Sequence, residues 1–143
     1  MKVLFDTNVI IDAVTLRYNH SIYSQKLWIK AIDGKIQGYI CSSQLTDIYY
    51  VLRKYVDEAT KRKIIRAVLS SFTVLPLLPS FTSYCADSDM EDYEDAILDE
   101  VAKVNMINYL VTNDEKDFQK AKSTIITPKN LDLLISAAEG TNW

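Results

Sequence analysis

Asp6, Asp47, Asp95 and the pair Asp114/Asp117 recur along a 143-residue chain where a strand end or a helix could bring each of them to one site. Carboxylate oxygens are hard donors suited to Mg²⁺ or Mn²⁺, and several held together repel one another unless a cation neutralises them. These residues therefore favour metal-assisted hydrolysis of a phosphate ester. His20 is the single histidine and the three glycines are dispersed. A Ser-His-Asp apparatus and a glycine-rich phosphate loop are accordingly poorly supported.

Periodicity indicates which elements position these acids. Met1–Phe5 reads as a short buried strand, and Asp6-Thr7-Asn8 supplies polar termination and a cap before Val9–Val14, which sets Asp6 at the strand's C-terminal edge. Ser21 can cap a helix through about Asp33 with Tyr23, Leu27, Trp28, Ala31 and Ile32 on its apolar face, and Gly34 and Gly38 bracket the following turn. Tyr39–Cys41 suits a strand. Ser42 or Ser43 then opens a helix with Leu45, Ile48, Tyr49, Leu52, Tyr55 and Val56 on one side, and a second helical run covers about Glu58 to Ser71. Asp47 lies off the densest apolar stripe of its helix, so an ordinary exposed acid in a first turn competes with a ligand role there.

Phe72–Leu75 reads as another strand, and Pro76–Ser83, broken by Pro76 and Pro79, as a connection able to shape one wall of the site. A helix from about Glu91 to Asn105 carries the stripe Tyr93, Ile97, Val101 and Val104. Beside it, Asp95, Leu98 and Ala102 form a second line that draws Asp95 inward, to a buried hydrogen-bonding role or a metal-site role, while Asp92 and Asp99 are expected to face water. Tyr109–Thr112 returns as a strand. Asp114 and Asp117 just beyond it can meet on one face if a helical turn begins there, and Thr112 can orient a carboxylate or a ligand water, or act as a cap. Thr124–Thr127 is the last strand candidate. Pro128 suits a turn or a first helical position before Asn130–Ala138, while Gly140 and the polar tail argue against a further element. Short apolar strands alternating with helices favour a single three-layer α/β/α domain with a mostly parallel central sheet.

The charge distribution is uneven. Nineteen acids against 16 Lys plus Arg give a formal charge of -3, so the chain as a whole lacks the strong positive field of a simple DNA-binding module. Yet Arg53, Lys54, Lys61, Arg62, Lys63 and Arg66 cluster, whereas no Lys or Arg occurs from Ala67 through Ala102, a span with eight acids between Asp87 and Glu100. A basic approach surface for nucleic acid beside an acidic centre fits this asymmetry, and so does a solvated helix face. Cys41 and Cys85 lack metal or redox spacing and are expected to be small core residues in a reducing cytoplasm. With no leader and no run of roughly 18 apolar residues, neither secretion nor a membrane span is expected.

Phe5-Asp6-Thr7-Asn8, the helix near Ser43 with Asp47, the segment Asp92-Tyr93-Glu94-Asp95-Ala96-Ile97 and the run from Thr112 through Phe118 stand in an order and spacing that resembles the PIN-domain family, in particular its compact prokaryotic toxin components. The resemblance spans almost the whole chain. It implies a metal-dependent ribonuclease with its carboxylates at one end of the sheet. It places the family's first acid at Asp6, its usual glutamate at Asp47, its third acid at Asp95 and its final acid in Asp114/Asp117. Two departures stand out. Asp47 is shorter than the usual glutamate, and Thr112-Asn113-Asp114 replaces a motif that often resembles Thr-Arg-Asn, which leaves the division between Asp114 and Asp117 open.

What the resemblance implies is endonucleolytic hydrolysis of RNA, with Asp6, Asp95 and Asp114 as direct ligands of Mg²⁺ (or Mn²⁺) and with Asp47 and Asp117 completing or orienting the site. It further implies a toxin's partners: a small antitoxin protein and a second copy in a homodimer. A PIN-like domain that only binds RNA or protein is the alternative. A Mg²⁺-dependent phosphatase is a third class, disfavoured because Asp6-Thr7-Asn8 lacks the second aspartate of an aspartyl-phosphate mechanism.

Overall fold

A computed structural model describes residues 1–140. Five strands, β1 (Lys2–Phe5), β2 (Gln37–Cys41), β3 (Thr73–Leu75), β4 (Tyr109–Val111) and β5 (Ile125–Ile126), form one sheet in the order β3-β2-β1-β4-β5. Every pairing is parallel, so the sheet is more uniform than the mostly parallel one expected. Parallel strands need crossovers, and the helices that make them cover both faces. The helices are α1 (Thr7–Thr15), α2 (Ser21–Ile32), α3 (Gln44–Leu52), α4 (Glu58–Ser71), α5 (Pro79–Ala86), α6 (Tyr93–Val104) and α7 (Pro128–Gly140).

Strand alternation divides the core in two. Val3, Phe5, Ile40 and Val111 point to the layer of α1, α2, α3, α4 and α7, where they meet Ile10, Leu27, Ile48 and Leu131. Leu4, Cys41 and Leu110 point the other way, to Phe81, Cys85, Ile97 and Val101 of α5 and α6. The result is a three-layer α/β/α sandwich. Both cysteines are free and buried in the second layer.

Several local expectations need correction. Pro79 does not extend a loop but starts α5 at the first helical position, where its missing N–H has no partner to lose, and Phe81 and Cys85 anchor that helix in the core. Ser21 is the first residue of α2 rather than its cap, and its buried hydroxyl accepts from the Tyr18 N–H at 3.0 Å. Gly38 lies inside β2, where a Cβ would stand 2.7 Å from the Phe72 ring, so close aromatic packing requires the glycine there. Ile32, Tyr93 and Val104, assigned to apolar stripes, are exposed. Asp99 is buried instead of facing water, and its carboxylate accepts the backbone N–H groups of Lys122 and Ser123 at 3.0 and 2.9 Å. A carboxylate that satisfies two amides can be buried without a cation. Gly140 belongs to α7, and the tail after it lies outside the described residues.

Candidate active site

The crossover pattern creates the site. The chain goes from β1 to β2 on one side of the sheet and later returns to β4 on the other, which leaves a crevice at the C-terminal ends of β1 and β4. In open α/β sheets that crevice is where ligands bind. Phe5 pairs with Val111, so Asp6 and Thr112, the next residue of each strand, stand side by side.

Asp6 is the N-cap of α1. Its Oδ1 accepts the Thr7 N–H at 2.7 Å, and its Oδ2 accepts the Thr112 hydroxyl at 2.8 Å and the Asn8 amide at 3.2 Å. The Asn8 amide also donates to Asp114 Oδ2 at 2.9 Å, so one side chain links two of the acids. Thr112, with no exposed surface, in turn accepts the Asp114 N–H at 3.0 Å. It therefore orients a carboxylate, as the sequence allowed. On the far side of the crevice Asp92 caps α6 through the Asp95 N–H at 3.0 Å, which starts the helix with Asp95 in its first turn.

Asp6, Asp47 and Asp95 line one cavity of about 460 Å³, together with Gln44, Tyr50 and Glu94. Burial pushes the Asp6 carboxyl from 3.8 up to about 6; the bonds from Thr112 and Thr7 oppose that rise, and Asp114 and Asp117 add to it. Asp95 rises to about 7, first through burial and then through the charges of Asp6, Asp92, Asp117 and Glu94. Asp47 is raised by burial. Glu94 is raised chiefly by Asp47. None of these acids takes part in an ion pair among the described residues.

Asp114 and Asp117 are exposed at the start and within a 3-10 turn, Glu115–Phe118, where the Asp117 N–H donates to the Asp114 carbonyl. They stand outside the lining of the main cavity but are near enough for both to act on Asp6, and Asp117 also acts on Asp95. Among the described residues no three His, Cys, Asp or Glu side chains are already gathered so as to hold a metal ion. The donor chemistry nevertheless fits a hard divalent cation: oxygen donors only, the Asp6 and Asp95 carboxyls raised by burial and mutual repulsion, and no basic partner among the described residues.

The basic cluster is divided. Lys61 and Arg62 pair with Glu58 at 2.8 and 3.2 Å, and Lys61 is further covered by the Tyr49 ring. Lys54, Lys63 and Arg66 are exposed. Arg53 is in contact with the cavity wall, because its guanidinium stacks 3.7 Å from the centroid of Tyr50, which lines the cavity.

Four contributors were not singled out from the sequence. Asn8 reads in the sequence only as part of a polar termination and cap, although its amide is what joins Asp6 to Asp114. Gln44 is buried, donates to the Phe5 carbonyl at 2.7 Å and accepts the Cys41 N–H at 2.7 Å, which ties together the ends of β1 and β2. Glu94 was legible only as part of an acidic segment. Asp12 is buried on α1, where its two oxygens accept Arg17 Nε at 2.5 Å and the Asn113 amide at 2.6 Å. A polar residue on the inner side of a short apolar helix was the available signal for Asp12; no comparable signal exists for Gln44.

A family model described as PIN domain matches residues 2–116. The chain therefore belongs to the PIN-domain family. Among solved structures it is similar to PAE2754 from Pyrobaculum aerophilum, with 24% identity and a TM-score of 0.69 over 96% of this chain and 90% of that one. VapBC2 from Rickettsia felis, bound to a DNA fragment from its promoter, is 18% identical with a TM-score of 0.68, covering 89% of this chain and 98% of that one. A toxin-antitoxin complex from Klebsiella pneumoniae is 22% identical with a TM-score of 0.65, over 88% and 97%. At these identities the likeness is one of fold. No curated protein matches the chain in sequence.

Proposed function

We propose that this protein is a metal-dependent endoribonuclease and that it acts as the toxin of a toxin-antitoxin pair. The observation that carries the reading is the pairing of Asp6 and Asp95 across one cavity, both raised well above the ordinary carboxylate range and neither paired with a Lys or Arg among the described residues. Such a pair opposes its own ionisation, and an arriving cation relieves the conflict.

Asp6, Asp95, Asp114 and Asp117 would hold Mg²⁺ or Mn²⁺, with Asp47 completing the acidic wall. The ion, when bound, would lower the pKa of a water and offset charge on the transferring phosphoryl group. The chain's own residues do the positioning. Thr112 and the Thr7 N–H fix both oxygens of Asp6, Asn8 keeps Asp114 in register with it, and Gln44 holds the strand ends that form the floor. Arg53 on Tyr50 supplies positive charge at the rim for an RNA phosphate.

Two of the similar structures are a VapBC2 assembly and a toxin-antitoxin complex, which supports a small antitoxin as protein partner. Exposed Ile29 and Ile32 on α2 and Leu133 on α7 offer apolar surface for that partner or for a second copy. No described helix is long and apolar enough to cross a membrane. A non-catalytic PIN-like domain is the second reading, favoured by the lack, among the described residues, of three donors already gathered. Cleavage of diverse RNAs with and without Mg²⁺ or Mn²⁺, with mass analysis of the ends, separates the two. New internal ends that require the metal support the nuclease; release of inorganic phosphate alone would point to a phosphatase.

A further inference from the structure

Beyond the cavity, at the end of α1, Arg17, Tyr18, His20 and Tyr55 form a cluster that the proposed chemistry does not use. The Tyr18 and His20 rings stack with centroids 5.2 Å apart and planes 12° from parallel. The Arg17 guanidinium carbon lies 5.1 Å from the Tyr18 centroid and 5.9 Å from that of Tyr55, whose hydroxyl accepts Arg17 Nη1 at 3.1 Å. These rings are not core residues: Tyr18 is 53% and Tyr55 43% exposed. Exposed aromatic side chains beside guanidinium groups are the parts with which proteins hold unpaired bases and their phosphates.

The cluster is also continuous with the candidate site. Asp12 accepts Arg17 on one oxygen and Asn113 on the other, and Asn113 stands between Thr112 and Asp114. The Asn113 N–H donates to Asn8 Oδ1 at 3.2 Å, which closes the connection to the amide that joins Asp6 and Asp114. On the α3 side, Tyr50 of the cavity wall, Arg53 stacked on it and Tyr55 fall within six residues of chain. The anchor is buried, and Tyr18 and Tyr55 are exposed around it, already stacked on His20 and on the Arg17 guanidinium.

We propose that Tyr18, His20, Tyr55 and Arg17 form a stacking platform for unpaired bases of a single-stranded RNA whose scissile phosphate lies in the cavity. This inference rests on the ribonuclease reading. Single strands are favoured over duplex because ring faces can be used only by bases released from pairing. Arg17 is paired with Asp12, so the charge that favours RNA over an apolar protein segment is that of Arg53, which has no acidic partner among the described residues.

The test is equilibrium binding by chelator-treated protein to a labelled single-stranded oligoribonucleotide of mixed sequence and to an abasic strand of the same length. The intact strand is expected to bind about 5-fold or more tightly than the abasic one, the usual benefit of stacking a base on a ring. Tyr18→Leu is expected to remove that preference, leaving abasic binding unchanged, and Tyr18→Trp to keep it. A folded Tyr18→Leu protein with the parental preference, or a parent that binds both strands equally, overturns the platform. Metal-dependent cleavage is measured on the same preparations. Cleavage with no Tyr18 dependence of binding rejects the platform alone, and Tyr18-dependent binding with no cleavage of any RNA rejects the ribonuclease reading alone.

Discussion

Thr112 donates its hydroxyl to Asp6 Oδ2 across neighbouring parallel strands at 2.8 Å, with no solvent access to the donor. That bond favours the charged form of a carboxylate whose burial disfavours it, the form that the proposed cation would need. Thr112→Val, close in shape, should retain the fold at a cost of about 1–3 kcal/mol and weaken Mn²⁺ binding. Thermal unfolding and Mn²⁺ titration check this; an unchanged Mn²⁺ affinity would mean that the hydroxyl only caps the strand end.

The metal-free protein should lose stability as pH rises from about 4 to about 7. Asp6 and Asp95 have folded pKa values near 6 and 7 against an ordinary 3.8, so the folded state binds protons more tightly than the unfolded chain. Their stabilising contribution is full below the unfolded value and is lost as pH passes through the folded ones. Saturating Mg²⁺ should reduce the slope, because the ion takes the protons' place. Denaturant unfolding at a series of pH values, with and without Mg²⁺, reads both slopes; equal slopes in the two series would place the ion elsewhere.

Asp95→Asn should leave the fold intact, raise metal-free stability near pH 8 and abolish most metal binding and cleavage. Asp92→Asn should act more mildly, since asparagine also caps helices and the lost charge is one step removed from the cavity. The two variants share a helix start and differ in what faces the site. Comparable losses in both would assign the effect to the cap rather than to the Asp95 carboxylate.

Neutralising Lys61, Arg62 and Lys63 together should lower the salt slope of RNA binding by only about 1. Each phosphate contact on a single strand contributes roughly 0.7, but Lys61 and Arg62 already share Glu58. Arg53→Gln, by contrast, removes a charge at the cavity wall and should weaken RNA binding by itself. If the triple variant loses a full three contacts and Arg53→Gln none, the approach runs along α4 instead.

The fold was legible because its signals are local and redundant. Val3, Phe5, Ile40 and Val111 alternate with Leu4, Cys41 and Leu110, and the helices between them carry clear stripes. Pro79 misled because a proline that breaks a helix interior is equally at home at its first position, and only the burial of Phe81 and Cys85 decides between the two. Asp6, Asp47 and Asp95, which line one cavity, were legible by their place after a strand or in a first turn. Asp99 was not, since the amides it satisfies are more than twenty residues away. Asn8 and Gln44 were missed for the same reason: their partners lie across the sheet, on elements whose register the sequence does not state.

The most direct measurement is a single-turnover assay of chelator-treated protein against a pool of RNAs, restored with Mg²⁺ or Mn²⁺ and run beside Asp95→Asn. The expected result is internal RNA cleavage that appears only with added metal and only when Asp95 is present. Cleavage at an unchanged rate after verified removal of metal, or by a folded Asp95→Asn protein, would contradict a carboxylate-held metal centre in this cavity.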